Sequence, residues 1–308
     1  MSLIGPGGQA PPTFSVIVPA HNAAATIDRC LGGIERQRVA DYEVIVVDDG
    51  SADQTSAHVR NHAGVRLISQ AQQGPCAARN AGLRASSGRY VTFLDADDEV
   101  EEDWLWALAA ELRNEPTAVV VSCGVHLIER TGTDQQRTRI QLPKRLGPAF
   151  GNLDALFLPG AYAVDRRALL AIGGFTEGLP YGEHSELALR LAAWAEEHHA
   201  QAARTDRVLI IKHHDRTPGR VTSYDTARRR GAEYKLAHHE DRLRRDPRLA
   251  ADYHGVAGVA CMRLGERREA QRHFRKALWL RPSRKNALRL AVALVPGVVP
   301  RRWRPNAQ

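Results

Sequence analysis

Three short apolar runs near the start of the chain each end in a polar cluster, and this repetition constrains the fold more than any other feature. "FSVIVPA" (14–20) runs into His21 and Asn22, and "YEVIVVDDGS" (42–51) carries Asp48 and Asp49. "RYVTFLDADD" (89–98) ends on Asp95, Asp97 and Asp98. Short runs rich in β-branched residues and bounded by polar residues read as buried strands. Between them, Ile27, Leu31 and Ile34 recur at helical spacing, and "SADQTSAHVRNHA" reads as a helix that Ser51 or Asp53 caps. "GPCAARNAGLRASS" and "EEDWLWALAAELRN" are further helices, and "VRLIS" (65–69) and "AVVVSCGV" (118–125) further strands. Strands alternating with helices imply parallel βαβ units, and so an α/β fold with a mostly parallel sheet and helices on both faces. Ligands of such sheets bind at the carboxyl ends of the strands, where all three clusters stand. No GxGxxG follows the first strand and no GxxxxGK[ST] occurs, which argues against a Rossmann dinucleotide site and a P-loop.

At 308 residues the chain is long enough for one large domain, or one domain plus an appendage, and with 43% apolar and 25% charged residues it has the composition of a soluble globular protein. Cys30, Cys76, Cys123 and Cys261 stand far apart without a CxxC pair, against a zinc site or disulfide framework and in keeping with a reducing compartment. No apolar run reaches the roughly 20 residues of a membrane span, and "MSLIGPGGQAPP" lacks the features of a signal peptide. Residues 1–13 read as a flexible leader and the protein as cytoplasmic. The net charge of +8 is unevenly held: residues 1–200 carry 17 Lys/Arg against 25 Asp/Glu, residues 201–308 carry 26 against 10. The basic excess belongs to the C-terminal third.

Residues 126–158 are polar and lack a clear period, which reads as a variable excursion. "GAYAVDRRALLAIGGF" (160–175) reads as strand, turn and short helix, "EHSELALRLAAWAEEHH" (183–199) as a helix, and "RVLIIKHH" (207–214) as a late strand. The expected segments are thus 14–125, 126–223 and a basic, all-helical extension over 224–308. Within the extension Gly258, Gly265, Ala270, Phe274, Ala277 and Pro282 fall at the spacings of a single tetratricopeptide-like repeat. The end, "LRLAVALVPGVVPRRWRPNAQ", reads either as a peripheral contact with anionic membrane or as a core helix with a solvated basic tail.

The motifs "SVIVPAHNAAATIDRCLGGI", "YEVIVVDDGSADQT", "GPCAARNAGLRASSGRYVTFLDADD" and "GGFTEGLPYGEHSELALRL", in that order, resemble the family 2 glycosyltransferases of the GT-A fold. The resemblance covers about residues 14 to 224 and leaves the helical extension outside. It implies inverting transfer of a sugar from a nucleotide-diphosphate sugar, UDP by default, to an acceptor hydroxyl on a sugar, a lipid-linked molecule or a small molecule. Cell-surface polysaccharide or glycoconjugate synthesis is the setting it suggests. Carboxylate oxygens suit a hard divalent cation, Mn2+ or Mg2+, which balances charge on the leaving diphosphate.

By resemblance Asp97 is the direct metal ligand, with Asp95 on the ribose or joined to the metal through water, and Ala96 between them lines the donor site. Asp98 reads as a cap for the helix that follows. His213 and His214 close the late strand where relatives carry a histidine of the metal or diphosphate site; His214 is preferred, and ordinary loop histidines are the alternative. Pro19, Ala20 and Asn22 match the loop that cradles base and ribose, and His21 stands where relatives often place an aromatic. Asp49 or Asp48 bonds the nucleobase edge while the other holds a turn; Arg79 reaches a phosphate or is a surface charge. Many relatives have a Glu-Asp pair at the head of the acceptor-side helix, with the aspartate as base. Here the stretch is "GEHSE", so the base is Glu183, then His184, with Glu186 one turn on.

A nucleotidyltransferase would open on a glycine- and arginine-rich phosphate loop, which "PAHNAAATI" lacks. A nucleic-acid binder would interleave aromatics with its arginines, and the extension does not. The rival from another class is a catalytically silent nucleotide-sugar-binding scaffold whose repeat-like tail binds a partner.

Overall fold

The computed structural model describes residues 12–39, 41–130, 136–215 and 221–295. The leader up to residue 11 and the tail from 296 lie outside them. The chain begins with strand β1 (Phe14–Ala20), helix α1 (Ile27–Glu35), β2 (Tyr42–Asp49), α2 (Thr55–Arg60), β3 (Val65–Gln70) and α3 (Pro75–Ala85). Next come β4 (Tyr90–Phe93), β5 (Glu99–Val100), α4 (Trp104–Asn114), β6 (Ala118–Arg130) and β7 (Gln136–Gln141). Then follow β8 (Lys144–Arg145), a 3₁₀ turn at Pro148–Phe150, β9 (Asp154–Ala155), β10 (Tyr162–Asp165), α5 (Arg166–Ala171), α6 (Glu183–Glu197) and β11 (Gln201–Asp215). The remaining helices are α7 (Val221–His238), α8 (Glu240–Arg245), α9 (Pro247–Arg263), α10 (Arg267–Leu280) and α11 (Arg284–Leu294).

The main sheet runs β3-β2-β1-β4-β10-β6-β11-β5, with β7 beside β6. β3, β2, β1 and β4 are parallel, whereas β10 is antiparallel to both its neighbours, so the sheet is mixed. The chain builds outward from β1 through β2 to β3, then returns to the other side of β1 as β4. The crevice at such a reversal is where an open α/β sheet binds ligands, and the three polar clusters end the strands that meet there. The strands are apolar because helices cover them: Val16, Ile17, Val18, Ile45, Val46 and Phe93 are fully shielded. On α3, Gly82 is needed for close approach, since a Cβ there would collide with Ile17.

Residues 126–158 are more ordered than their polarity suggests. β6 continues to Arg130 and returns as β7 in an antiparallel hairpin pairing Val125 with Gln141. "QRTRIQ" is a strand whose described side chains are exposed or half-buried, so it carries no alternating hydrophobic signal.

By contacts the chain divides into two compact units. One comprises Met1–Leu146, Asn152–Gly178 and Arg190–Arg216; the other Gly147–Gly151, Leu179–Leu189 and Thr217–Gln308. In the second unit α9 and α10 form a hairpin in which Gly258 lies under the Phe274 ring. Gly265, at φ 78°, ends α9, and its neighbour Glu266 returns a backbone N–H to Cys261 O at 2.9 Å. Asp246 caps α9 ahead of Pro247, and Ser283 caps α11. No helix among the described residues is long and apolar enough to cross a membrane.

Candidate active site

The first unit gathers the ends of β1, β2 and β4. Pro19 and Ala20 close β1 in register with Val47 and Asp48 of β2. Asn22 then adopts a left-handed φ of 50°, which asparagine tolerates better than most residues. The turn is braced across to β2: Asn22 N donates to Ser51 Oγ at 2.9 Å and Asn22 Oδ1 accepts from Ala52 N at 2.9 Å. His21 Nδ1 lies 2.9 Å from Asp49 O, which can only accept, so the proton sits on Nδ1. Its Nε2 then accepts from Asn22 Nδ2 at 3.1 Å and Gln72 Nε2 at 3.2 Å.

Both acids of "DDGS" are buried and hydrogen-bonded. Asp48 accepts from Ser51 N at 2.9 Å and from the Ser56 hydroxyl, which ties the strand end to α2 and holds its carboxyl below the usual range against burial. Asp49 accepts from Gln70 Nε2 (2.7 Å), Gln73 N (2.9 Å) and Gly74 N (2.7 Å), fixing the loop into α3. Gly74 has φ 93°, and Pro75 opens the helix.

After β4 the chain turns at Asp95–Asp98, closed by Asp98 N to Asp95 O at 3.1 Å. The three carboxylates separate by environment. Asp97 is exposed, Asp95 half-buried, and Asp98 only 1% exposed. Arg79 is no surface charge: it is 4% exposed, and its Nη2 donates to Asp95 Oδ1 at 2.9 Å. Lys212 of β11, also buried, donates to Asp95 Oδ2 at 3.2 Å and to Asp98. Burial pushes Asp98 up to about 7 even with this lysine beside it. Asp98 does not cap α4, which begins at Trp104 with Asp103 ahead of it; it anchors Lys212 beneath the turn.

Lys212 escapes a motif search, although a lone charge inside "LIIKHH", with the parity of buried Ile210, is its signal. His213 pairs with Glu99 at 2.7 Å. His214 sits on β11 opposite Glu129, and its side chain is outside the described residues.

These residues fit a hard cation. Ligand oxygens of Asp95, Asp97 and Asp98 lie within 4.8 Å of one another, and the two basic side chains leave the cluster one negative charge in excess when all three acids are ionised. Asp97, exposed to solvent, is the one that can offer its carboxylate outward. Ala96 is buried between Asp95 and Asp97. A second group of ligand atoms, Glu233, Cys261 and His273, lies in the helical unit, where Arg229 approaches Glu233 at 3.8 Å and supplies a cation.

The expected acceptor-side residues belong to the second unit. Gly182, at φ 75°, precedes α6, and its carbonyl accepts from Glu186 N at 3.0 Å and Ser185 Oγ at 2.8 Å. The side chain of Glu183 is 21% exposed and that of His184 9%. His184 Nε2 lies 3.9 Å from Glu183 Oε1. Glu186 is 1% exposed and pairs with His239 Nε2 at 3.0 Å, so of the two glutamates Glu183 is the accessible one.

The model of a family described as "Glycosyl transferase family 2" matches residues 15–173. Over 194 residues the chain is 30% identical to the pre-mycofactocin glycosyltransferase of Mycobacterium tuberculosis, covering 60% of this chain and 40% of that one. It spans 18% to 40% of the length of three curated relatives it matches. The crystal structure of S. aureus TarS 1-349 in complex with UDP-GlcNAc superposes with a TM-score of 0.61 at 18% identity, covering 91% of this chain and 87% of that one. The mannosyltransferase PcManGT from Pyrobaculum calidifontis, in complex with GDP-Man and Mn2+, gives 0.56 at 24% identity, with coverage of 94% and 81%. The likeness establishes a GT-A-like α/β fold with a helical C-terminal region.

Proposed function

This chain belongs to glycosyl transferase family 2, and from that premise we propose that it moves a sugar from a nucleoside diphosphate to an acceptor hydroxyl with inversion at the anomeric carbon. The observation that carries the reading is the turn after β4. There Asp97 is exposed beside Asp95, which Arg79 and Lys212 hold in place at the reversal point of the sheet. UDP is the default donor nucleotide, and Mn2+ or Mg2+ the cation.

The loop Pro19–Asn22 and the acids Asp48 and Asp49 form the cradle for base and ribose. Asp48 and Asp49 act largely by fixing that cradle, since their carboxylates already hold the Ser51 and Gly74 amides. Arg79, with Asp95 as its fixed partner, places a guanidinium for the diphosphate. Asp97 and Asp95 would hold the cation, which when bound screens charge on the leaving diphosphate. At the acceptor, Glu183 takes the hydroxyl proton as the oxygen bonds to the anomeric carbon; the bond from that carbon to the diphosphate oxygen breaks, and its electron pair leaves with the nucleotide. His184 is the second candidate for this base.

The extension suits a peripheral role at the inner face of a membrane. Trp279 and Leu288 are 78% and 64% exposed on α10 and α11, and residues 201–308 carry 26 basic against 10 acidic residues. The α9–α10 hairpin, with Gly258, Ala270, Phe274 and Ala277 at its seam, serves as a lone tetratricopeptide-like element. Binding to anionic vesicles that weakens steeply with salt, without DNA binding, supports this placement; binding to neither overturns it.

The test of the transfer reading is incubation with UDP-, GDP- and dTDP-sugars and Mn2+, following release of the nucleoside diphosphate. Metal-dependent release from one donor, lost in Asp97→Ala and Glu183→Gln, is the expected result. Nucleotide binding without release from any donor favours the scaffold.

A further inference from the structure

The acceptor-side helix is held by residues outside the span of the family motifs. On α7, Gly231 and Lys235 stand four residues apart and share one helical face, and His239 follows directly after the helix ends at His238. Each meets a different part of the segment 181–186. A Cβ at Gly231 would collide with the Tyr181 carbonyl, so α7 lies against that backbone with no space to spare. Lys235 is 3% exposed, and its Nζ lies 3.2 Å from Gly182 O and 3.5 Å from Tyr181 O. A Cβ at Gly182 would strike the same Nζ. His239 Nε2 bonds Glu186 at 3.0 Å.

We propose that Lys235 and His239 are positioning residues of the acceptor side: Lys235 fixes the Tyr181–Gly182 backbone from which α6 springs, and His239 anchors Glu186, leaving Glu183 as the carboxylate that takes the acceptor proton. The proposal rests on the reading of the chain as a transferase whose base is Glu183. It gives the C-terminal helices a part in the chemistry rather than in partner binding alone.

An ammonium at this position does two things. It donates to carbonyls that would otherwise end a buried turn, and it puts a positive charge one residue from Glu183. The groups facing it are Glu183 and Glu186 from α6 and the Tyr253 ring of α9 at 5.3 Å. Burial pulls Lys235 down to about 8 against the support of Glu183 and Glu186, so the charge is lost at moderately alkaline pH. When it goes, the hydrogen bonds to the turn weaken from those of an ammonium to those of a neutral amine, and Glu183 loses its neighbouring cation.

The chain has five lysines, which makes each resolvable by NMR of protein labelled with 13C and 15N in lysine. The Lys235 signal, identified by its absence in Lys235→Arg, is expected to titrate near 8 and to move down by about half a unit or more in Glu183→Gln. A midpoint that Glu183→Gln leaves in place overturns the proposal whether or not the protein turns over. In steady-state transfer, the wild type is expected to lose kcat above pH about 8. Lys235→Met should cut kcat by about tenfold or more and abolish that alkaline limb, with nucleotide binding unchanged, and Lys235→Arg should restore part of kcat and move the limb upward. A fall in kcat that follows the loss of melting temperature, with the limb unmoved and no rescue by arginine, marks Lys235 as merely structural. No turnover by the wild type on any donor refutes the transferase reading separately, while the lysine titration still decides whether Lys235 and Glu183 are coupled.

Discussion

Lys212 and Asp98 form an ion pair with side chains only 8% and 1% exposed, directly beneath the turn that carries Asp97. Isolated charges this deep are costly, so each depends on the other. Lys212→Met should therefore destabilise the protein by about 3–5 kcal/mol, because it strands a buried acid. The double change Lys212→Met with Asp98→Leu should recover most of the loss. Urea denaturation of the three proteins checks both statements, and full additivity would contradict them.

Asp49 offers a second contrast. It accepts from two backbone amides and one side chain at the entrance to α3. Removing it leaves those amides without their acceptor, at about 1–3 kcal/mol. Asp49→Ala should lower stability and nucleotide affinity together. Affinity lost at unchanged stability, read by calorimetry beside thermal melts, would instead make Asp49 a ligand for the base and nothing more.

In the helical unit His254 Nδ1 lies 3.0 Å from His273 Nδ1. Burial, with His273 and Lys276 close by, pulls His254 down to about 4. Its folded value is below its ordinary one, so the unfolded chain binds the extra proton first. The stability it contributes is complete above about 6.5 and is lost as pH falls toward 4. His254→Phe should flatten that part of the stability profile, measured as urea midpoints between pH 4 and 7.

A glycine inside a helix is ordinarily worse than alanine by about 1 kcal/mol. At Gly258 the sign should reverse, because a Cβ there would run into the Phe274 ring. Gly258→Ala is expected to lower the melting temperature of the helical signal; a rise would show that the hairpin seam is looser than the structure has it.

These residues also show how far the sequence could be read. β1, β2 and β4 were legible because each is an apolar run stopped by acids or by His21 and Asn22, and the helices between them repeat at near 3.6 residues. β7 was not, because "QRTRIQ" lies where neither face needs a run of apolar residues. Lys212 was not, because its role depends on β11 pairing with β6 and β5 so as to put it against Asp98, a long-range placement that no local pattern encodes. Asp98 has the local sequence of a helix cap for the same reason: the partner that fixes its role lies 114 residues away. The grouping of Leu179–Leu189 with the C-terminal helices was equally hidden. The four-residue spacing of Gly231, Lys235 and His239 is plain in the sequence, but the backbone they meet is not.

The central claim is that the turn after β4 binds a nucleoside diphosphate through a metal held by Asp97. The most direct test is calorimetric titration of UDP, GDP and dTDP, with and without Mn2+, into the wild type, Asp97→Asn and Asp98→Asn. One nucleotide should bind the wild type only with metal. Asp97→Asn should lose that binding at unchanged melting temperature, and Asp98→Asn should change stability more than affinity. Metal-dependent binding that survives in Asp97→Asn, or none in the wild type, would contradict the account.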